Sequence, residues 1–103
     1  MLSKESVIET AKSFINDCAA SGLSFKKVML FGSAVNGQMH EGSDIDLLLV
    51  SDMFNDNPFD NLKLYSKINI RYPQIETHAY STKNYSGGND FINEISKQSI
   101  VLV

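Results

Sequence analysis

The sequence has little of what would mark several functional classes. Cys18 is the one cysteine among 103 residues, so no internal disulfide can form. A reducing compartment is the default, and a cytoplasmic location is the expectation. Arg71 is the one arginine, no block of basic residues occurs, and the net charge is −3. That balance argues against tight non-specific nucleic-acid binding and fits nucleic-acid polymerisation poorly. No apolar run reaches the length of a membrane span, so no membrane association is expected. The first residues, MLSKESVIETAK, lack the apolar centre of a signal peptide. Internal repeats, low-complexity tracts and linker-like stretches are absent. A chain of this length can bury one core but not a second, large substrate-binding domain. Residues 1–103 are therefore expected to form a single domain.

Periodicity divides the chain into alternating elements. Val7, Ile8, Ala11, Phe14, Ile15, Cys18 and Ala19 recur at helical spacing, which predicts a helix over 4–21. Ser3 is placed to cap its start and Gly22 to end it. Cys18 falls on the apolar stripe and reads as a small core residue rather than a reactive thiol. Lys27–Phe31 and Asp44–Ser51 read as strands, with a brief helix over Ser33–Gln38 between them. Asn57 and Pro58 open a second long helix, expected to run to Tyr72 before Pro73, with Phe59, Leu62, Tyr65, Ile68 and Tyr72 on its apolar face. Ile75–Ser81 reads as a third strand, on which Glu76, His78 and Tyr80 share one face. A polar loop over Thr82–Asn89, a short helix over Asp90–Lys97 and a last strand over Ile100–Val103 complete the reading. The expected class is α/β (α+β), a small mixed sheet of about four strands flanked by helices.

The stretch FGSAVNGQMHEGSDIDLLLV, Phe31–Val50, stands apart from this background. Asp44 and Asp46 are two residues apart at the start of a strand, so both project from one face, about 6.6 Å apart at the backbone. Carboxylates at that spacing can converge on hard cations such as magnesium, and a two-ion site lies within their reach. Without a cation, two such charges beside a buried run repel and resist desolvation. The competing reading is that Ser43 and Asp44 merely begin the strand while Asp46 faces water. The residues upstream weigh against it. Gly32 allows close approach of a ligand to the backbone, Ser33 offers a hydroxyl at a helix start, and Gly37 loosens the next turn. A phosphate held there would lie near the carboxylates, and metal ions would be needed between them. A Walker-type loop is excluded because no Gly-Lys-Ser/Thr follows. An EF-hand is excluded because Leu47, Leu48 and Leu49 follow the aspartates.

Gly32-Ser33, ten residues, then Asp44-Ile45-Asp46 is the pattern G-S-x10-D-x-D. It resembles the DNA polymerase β-like nucleotidyltransferase superfamily, and in particular its minimal nucleotidyltransferases. Phe31, Gly32, Ser33, Ala34 and Gly37, followed by Ser43 to Leu47, match the wider form of that pattern. The resemblance implies a polymerase β-like palm fold and a nucleotidyltransferase of the adenylyltransferase type. It implies catalytic and metal-holding residues Asp44, Asp46 and a third carboxylate on a later strand. Glu76 is preferred for that place over Asp90, although the family usually has the shorter aspartate there. Gly32, Ser33, Gly37 and Ser43 would contact the nucleotide phosphates, with two magnesium ions, or manganese, as cofactor. ATP is implied as the donor. A helical HEPN-type protein is implied as partner and acceptor, in a toxin–antitoxin pair in which this chain is the antitoxin. Homo- or hetero-oligomeric assembly stays open. The competing class is a non-catalytic antitoxin or nucleotide-binding module that neutralises its partner by binding alone. His78 reads either as a contact to nucleotide or acceptor or as a packed side chain, and His40 as an exposed loop residue. The aromatics of 59–72 read as core.

Overall fold

The computed structural model describes residues 3–36 and 45–103. Along the chain run α1 (Lys4–Ala20), β1 (Lys27–Phe31), α2 (Ser33–Asn36), β2 (Ile45–Ser51), α3 (Pro58–Asn69), β3 (Ile75–Ser81), α4 (Thr82–Gly87), α5 (Asp90–Lys97) and β4 (Ile100–Val101). The strands form one mixed sheet in the order β3-β2-β1-β4. β1 pairs antiparallel with both β2 and β4, while β2 and β3 run parallel. A parallel pair needs a crossover, and α3 supplies it. This is the mixed α/β sheet flanked by helices that the sequence leads one to expect.

Local signals set most of the helix ends. Ser3 caps α1 by accepting from the Ser6 N–H, and the Ser6 hydroxyl accepts from the Ser3 N–H in return. At the other end Leu23 N–H donates to Cys18 O and Gly22 N–H to Ala19 O, with Gly22 at φ 100°. This is the paired closure that a glycine in the left-handed region permits. Asn57 caps α3, with Pro58 inside its first turn.

The core lies on both faces of the sheet. Val28, Leu30, Ile45, Leu47 and Leu49 pack against Val7, Ala11, Phe14 and Cys18 of α1 and against Tyr65 and Ile68 of α3. On the opposite face Met29, Leu48 and Val50 pack against Ile92 and Ile95 of α5. Double coverage explains the unbroken LLLV of β2, because a strand buried on both faces has no polar side to alternate with. Burial at full depth raises the Cys18 thiol to about 11, with the neighbouring Asp17 charge adding and the Arg71 charge opposing. It is a core residue, as its place on the stripe suggests.

Four boundaries or faces differ from the expectation. Thr82–Gly87 is helical rather than a polar loop. Ser81 Oγ caps it through the Asn84 N–H, and Thr82 and Asn84 side chains donate to Asp52 and Asp56. A helix held by long-range polar contacts leaves no apolar period to read. α3 ends at Asn69, three residues before Tyr72, where the helical bonding gives way to i→i−3 bonds: Ile68 O accepts from the N–H of Arg71 and Asn69 O from the N–H of Tyr72. Its ring meets Phe14 edge-on at 5.8 Å and its hydroxyl donates to Asp17 at 2.5 Å. Phe59 and Leu62 are 73% and 45% exposed, not core. The buried face of α3 is Asn61, Tyr65 and Ile68, turned by about 120° from the Phe59–Leu62 side. The last strand is Ile100–Val101 only.

Candidate metal and nucleotide site

The site is built where β1 ends and β2 begins, on the face covered by α5. Phe31 pairs with Asp46, and Asp46 pairs with Glu76, so the three lie in one row across β1, β2 and β3. Residues in register across neighbouring strands share a face and stand about 4.8 Å apart. His78 lies two residues along β3 from Glu76 and shares that face. Its Nε2 lies 4.0 Å from Asp46 Oδ1. One donor atom from each of Asp46, Glu76 and His78 falls within 4.8 Å of the others. Asp46 and His78 are partly buried and Glu76 is exposed, so the group is reachable from solvent.

Gly32 shapes this group from the side. Its φ of 79° lies in the left-handed region, and a Cβ there would overlap the Asp46 carboxylate at Oδ2. Only glycine permits both the turn out of β1 and this approach of backbone to carboxylate. The turn continues directly into α2, with Val35 N–H donating to Gly32 O at 3.0 Å.

Aromatic rings close the other side. The His78 ring stands 5.3 Å from Phe31 and 5.6 Å from Phe91, and those two phenylalanines meet edge-on at 5.9 Å. Beside them a cleft of about 200 Å3 is lined by Phe31, Gly32, Phe91, Glu94, Ile95 and Gln98. Phe31, Gly32 and Phe91 thus border both the cleft and the group of carboxylates and imidazole.

The structure brings Asp46 and Glu76 together and sets Gly32 against Asp46. Ser33 begins α2 one residue beyond Gly32. Gly37, His40, Ser43 and Asp44 lie outside the described residues. Asp90, the other candidate for the third carboxylate, opens α5 and is not part of the converging group. The expectation had left His78 open and had no role for Phe31 or Phe91 beside it. The alternation of Glu76, His78 and Tyr80 was the available signal for His78. Phe91 carried none, since its approach depends on how α5 packs.

Two carboxylates and an imidazole on one face suit a divalent cation: the oxygens match hard ions, the nitrogen borderline ones. The glycine cradle fits as well, since it keeps the Asp46 carboxylate where a side chain would displace it. The mixed sheet thus carries, at a glycine turn, a group of two carboxylates and an imidazole that could hold a metal ion. The particular family follows from the sequence. The pattern of the family "Polymerase beta, Nucleotidyltransferase" matches residues 14–103. The chain belongs to that family and is a nucleotidyltransferase, an enzyme whose substrate is a nucleotide. No curated protein matches the chain. Among solved structures, a Sulfolobus solfataricus protein, itself assigned by inference as a nucleotidyltransferase, superposes with a TM-score of 0.70. The alignment covers 95% of this chain and 80% of that one, at 22% identity, and is a likeness of fold.

Proposed function

We propose that residues 1–103 form one catalytic domain that transfers AMP from ATP to a hydroxyl group on a partner protein. The convergence of Asp46 and Glu76 opposite Gly32 is the observation that carries this reading. In it, Asp44, Asp46 and Glu76 hold two magnesium or manganese ions, and Gly32, Ser33, Gly37 and Ser43 contact the phosphates. Bound there, the ions supply charge stabilisation for the transferring phosphoryl group and the departing pyrophosphate. Glu76, at the exposed edge of the group, accepts the proton of the acceptor hydroxyl. The acceptor oxygen then bonds to the α-phosphorus, the bond from that phosphorus to the bridging oxygen breaks, and pyrophosphate leaves with the electron pair. Gly32 keeps its backbone close to Asp46, so phosphate and carboxylate sit together without a side chain between them.

A helical partner of the HEPN type, with this chain as its antitoxin, supplies the acceptor hydroxyl in this reading. Support comes from α3 and its C-cap, where Phe59, Leu62 and Ile70 lie within about 80° of one another around the helix axis. Phe59 and Ile70 are 73% and 77% exposed, an apolar stripe suited to a protein partner.

The test is incubation of the protein with α-labelled ATP, magnesium and the product of the adjacent gene. Label is expected on the partner, and Asp46→Asn is expected to remove it without changing the circular dichroism spectrum. Tight partner binding and full neutralisation by Asp46→Asn, with no label transferred by the unaltered protein, would instead establish a binding antitoxin.

A further inference from the structure

We infer that His78 is itself a metal ligand, and that Asp46, Glu76 and His78 form a position selective for a first-row transition ion such as manganese over magnesium. The inference takes its place in the molecule from the nucleotidyltransferase reading, but its chemistry stands on the donor set alone.

The His78 ring is held from two sides, by Phe31 at 5.3 Å and Phe91 at 5.6 Å. These contacts supply packing for the ring, while its Nε2 approaches the Asp46 carboxylate. Its 4.0 Å separation from Asp46 Oδ1 is too long for a hydrogen bond. It does match two donors on one ion, which at bond lengths of about 2.1 Å stand about 3.0–4.2 Å apart. The whole group of donor atoms spans 4.8 Å at most. The exposed Glu76 side chain can rotate through the remainder.

The nitrogen decides the selectivity. Magnesium binds oxygen donors and keeps its waters, so an imidazole adds little to its affinity. First-row transition ions accept imidazole readily, and the phenylalanine walls keep this imidazole from turning away. A position of two carboxylates and one imidazole therefore separates the two kinds of ion where three carboxylates would not.

The experiment uses the full chain with Mn2+ and no nucleotide, so transfer activity does not enter the readout. Pulsed electron paramagnetic resonance is expected to show a directly bonded nitrogen in the unaltered protein. That signal is expected to vanish in His78→Gln and to persist in His40→Gln, the chain's other histidine. In His78→Gln the Mn2+ dissociation constant is expected to rise on the order of tenfold or more. The Mg2+ constant, measured by displacement of Mn2+, is expected to rise less than about threefold. Bound Mn2+ without a bonded nitrogen overturns the inference, as does loss of the signal in His40→Gln alone. Equal losses of Mn2+ and Mg2+ affinity in His78→Gln overturn the selectivity. Nitrogen-bound Mn2+ in a protein that transfers no nucleotide would leave this inference standing and remove the proposed function. The measurement on the unaltered protein needs no variant to fold.

Discussion

Replacing Gly32 by alanine should damage the protein in two separable ways. The backbone stands at φ 79°, and an added Cβ overlaps the Asp46 carboxylate. Holding an alanine in the left-handed region costs about 1–2 kcal/mol. Pushing Asp46 off its rotamer adds about 0.5–1.5 kcal/mol. A total near 2–3 kcal/mol is expected. With a urea m-value of about 1–3 kcal/mol/M, the unfolding midpoint should fall by about 0.7–3 M. The two contributions can be told apart in an Asp46→Ala background. There the overlap is gone and only the backbone cost remains, so Gly32→Ala should cost about 1–2 kcal/mol. The double-mutant cycle should then show a coupling of about 1 kcal/mol. Displacing the Asp46 carboxylate should also weaken Mn2+ binding on the order of tenfold. Additivity of the two substitutions within about 0.3–0.5 kcal/mol would falsify the cradle, because it would mean that Gly32 and Asp46 do not share space.

Other outcomes follow from the same coordinates. Cys18 titrates at about 11 in the folded protein against an ordinary 9.0, so its contribution to stability is complete below pH 9 and is lost as pH rises through 11. One such group contributes a slope of at most about 1.4 kcal/mol per pH unit; urea titrations of Cys18→Ala across that window should show a shallower loss than the unaltered protein. Tyr72 is raised above its ordinary 10.0 chiefly by its hydrogen bond to Asp17, which makes its contribution complete below pH 10 and lost above it. Tyr72→Phe should remove that alkaline component, and an unchanged pH profile would count against the bond. Leu48 is fully buried between β1, β3 and α5, so Leu48→Ala should cost about 2–5 kcal/mol in denaturant titrations. Phe59→Ser, at a 73% exposed position, should shift stability by no more than about 0.5 kcal/mol; a pull-down with the adjacent gene product should nonetheless weaken if α3 carries the partner.

Much of the molecule is legible in its sequence, and the exceptions have a common cause. Caps and stops act within a few residues, so Ser3, Gly22 and the Asn57–Pro58 pair were legible from local chemistry. The same holds for the existence of β2 and for the alternation that set Glu76 and His78 on one side of β3, while the cover on both faces of the LLLV run came from the packing of α1, α3 and α5. The helix over Thr82–Gly87 escaped because distant aspartates hold its polar residues. The face of α3 was misjudged because Phe59, Leu62, Tyr65 and Ile68 all fit one apolar arc, and only docking against α1 and the sheet chose which edge of it to bury.

The candidate site divides along the same line. A period of two residues and a glycine turn depend on near neighbours alone, so the Gly32 turn and the place of Asp46 at a strand start are legible in the chain, while the contact between them comes from the pairing of β1 with β2. Strand register is a long-range choice, made where the largest apolar area is covered. Only the tertiary structure could decide that Glu76 stands opposite Asp46 and that Asp90 stays outside the group. It also decided, through the packing of α5 on the sheet, that Phe91 would join Phe31 in turning a histidine toward two carboxylates.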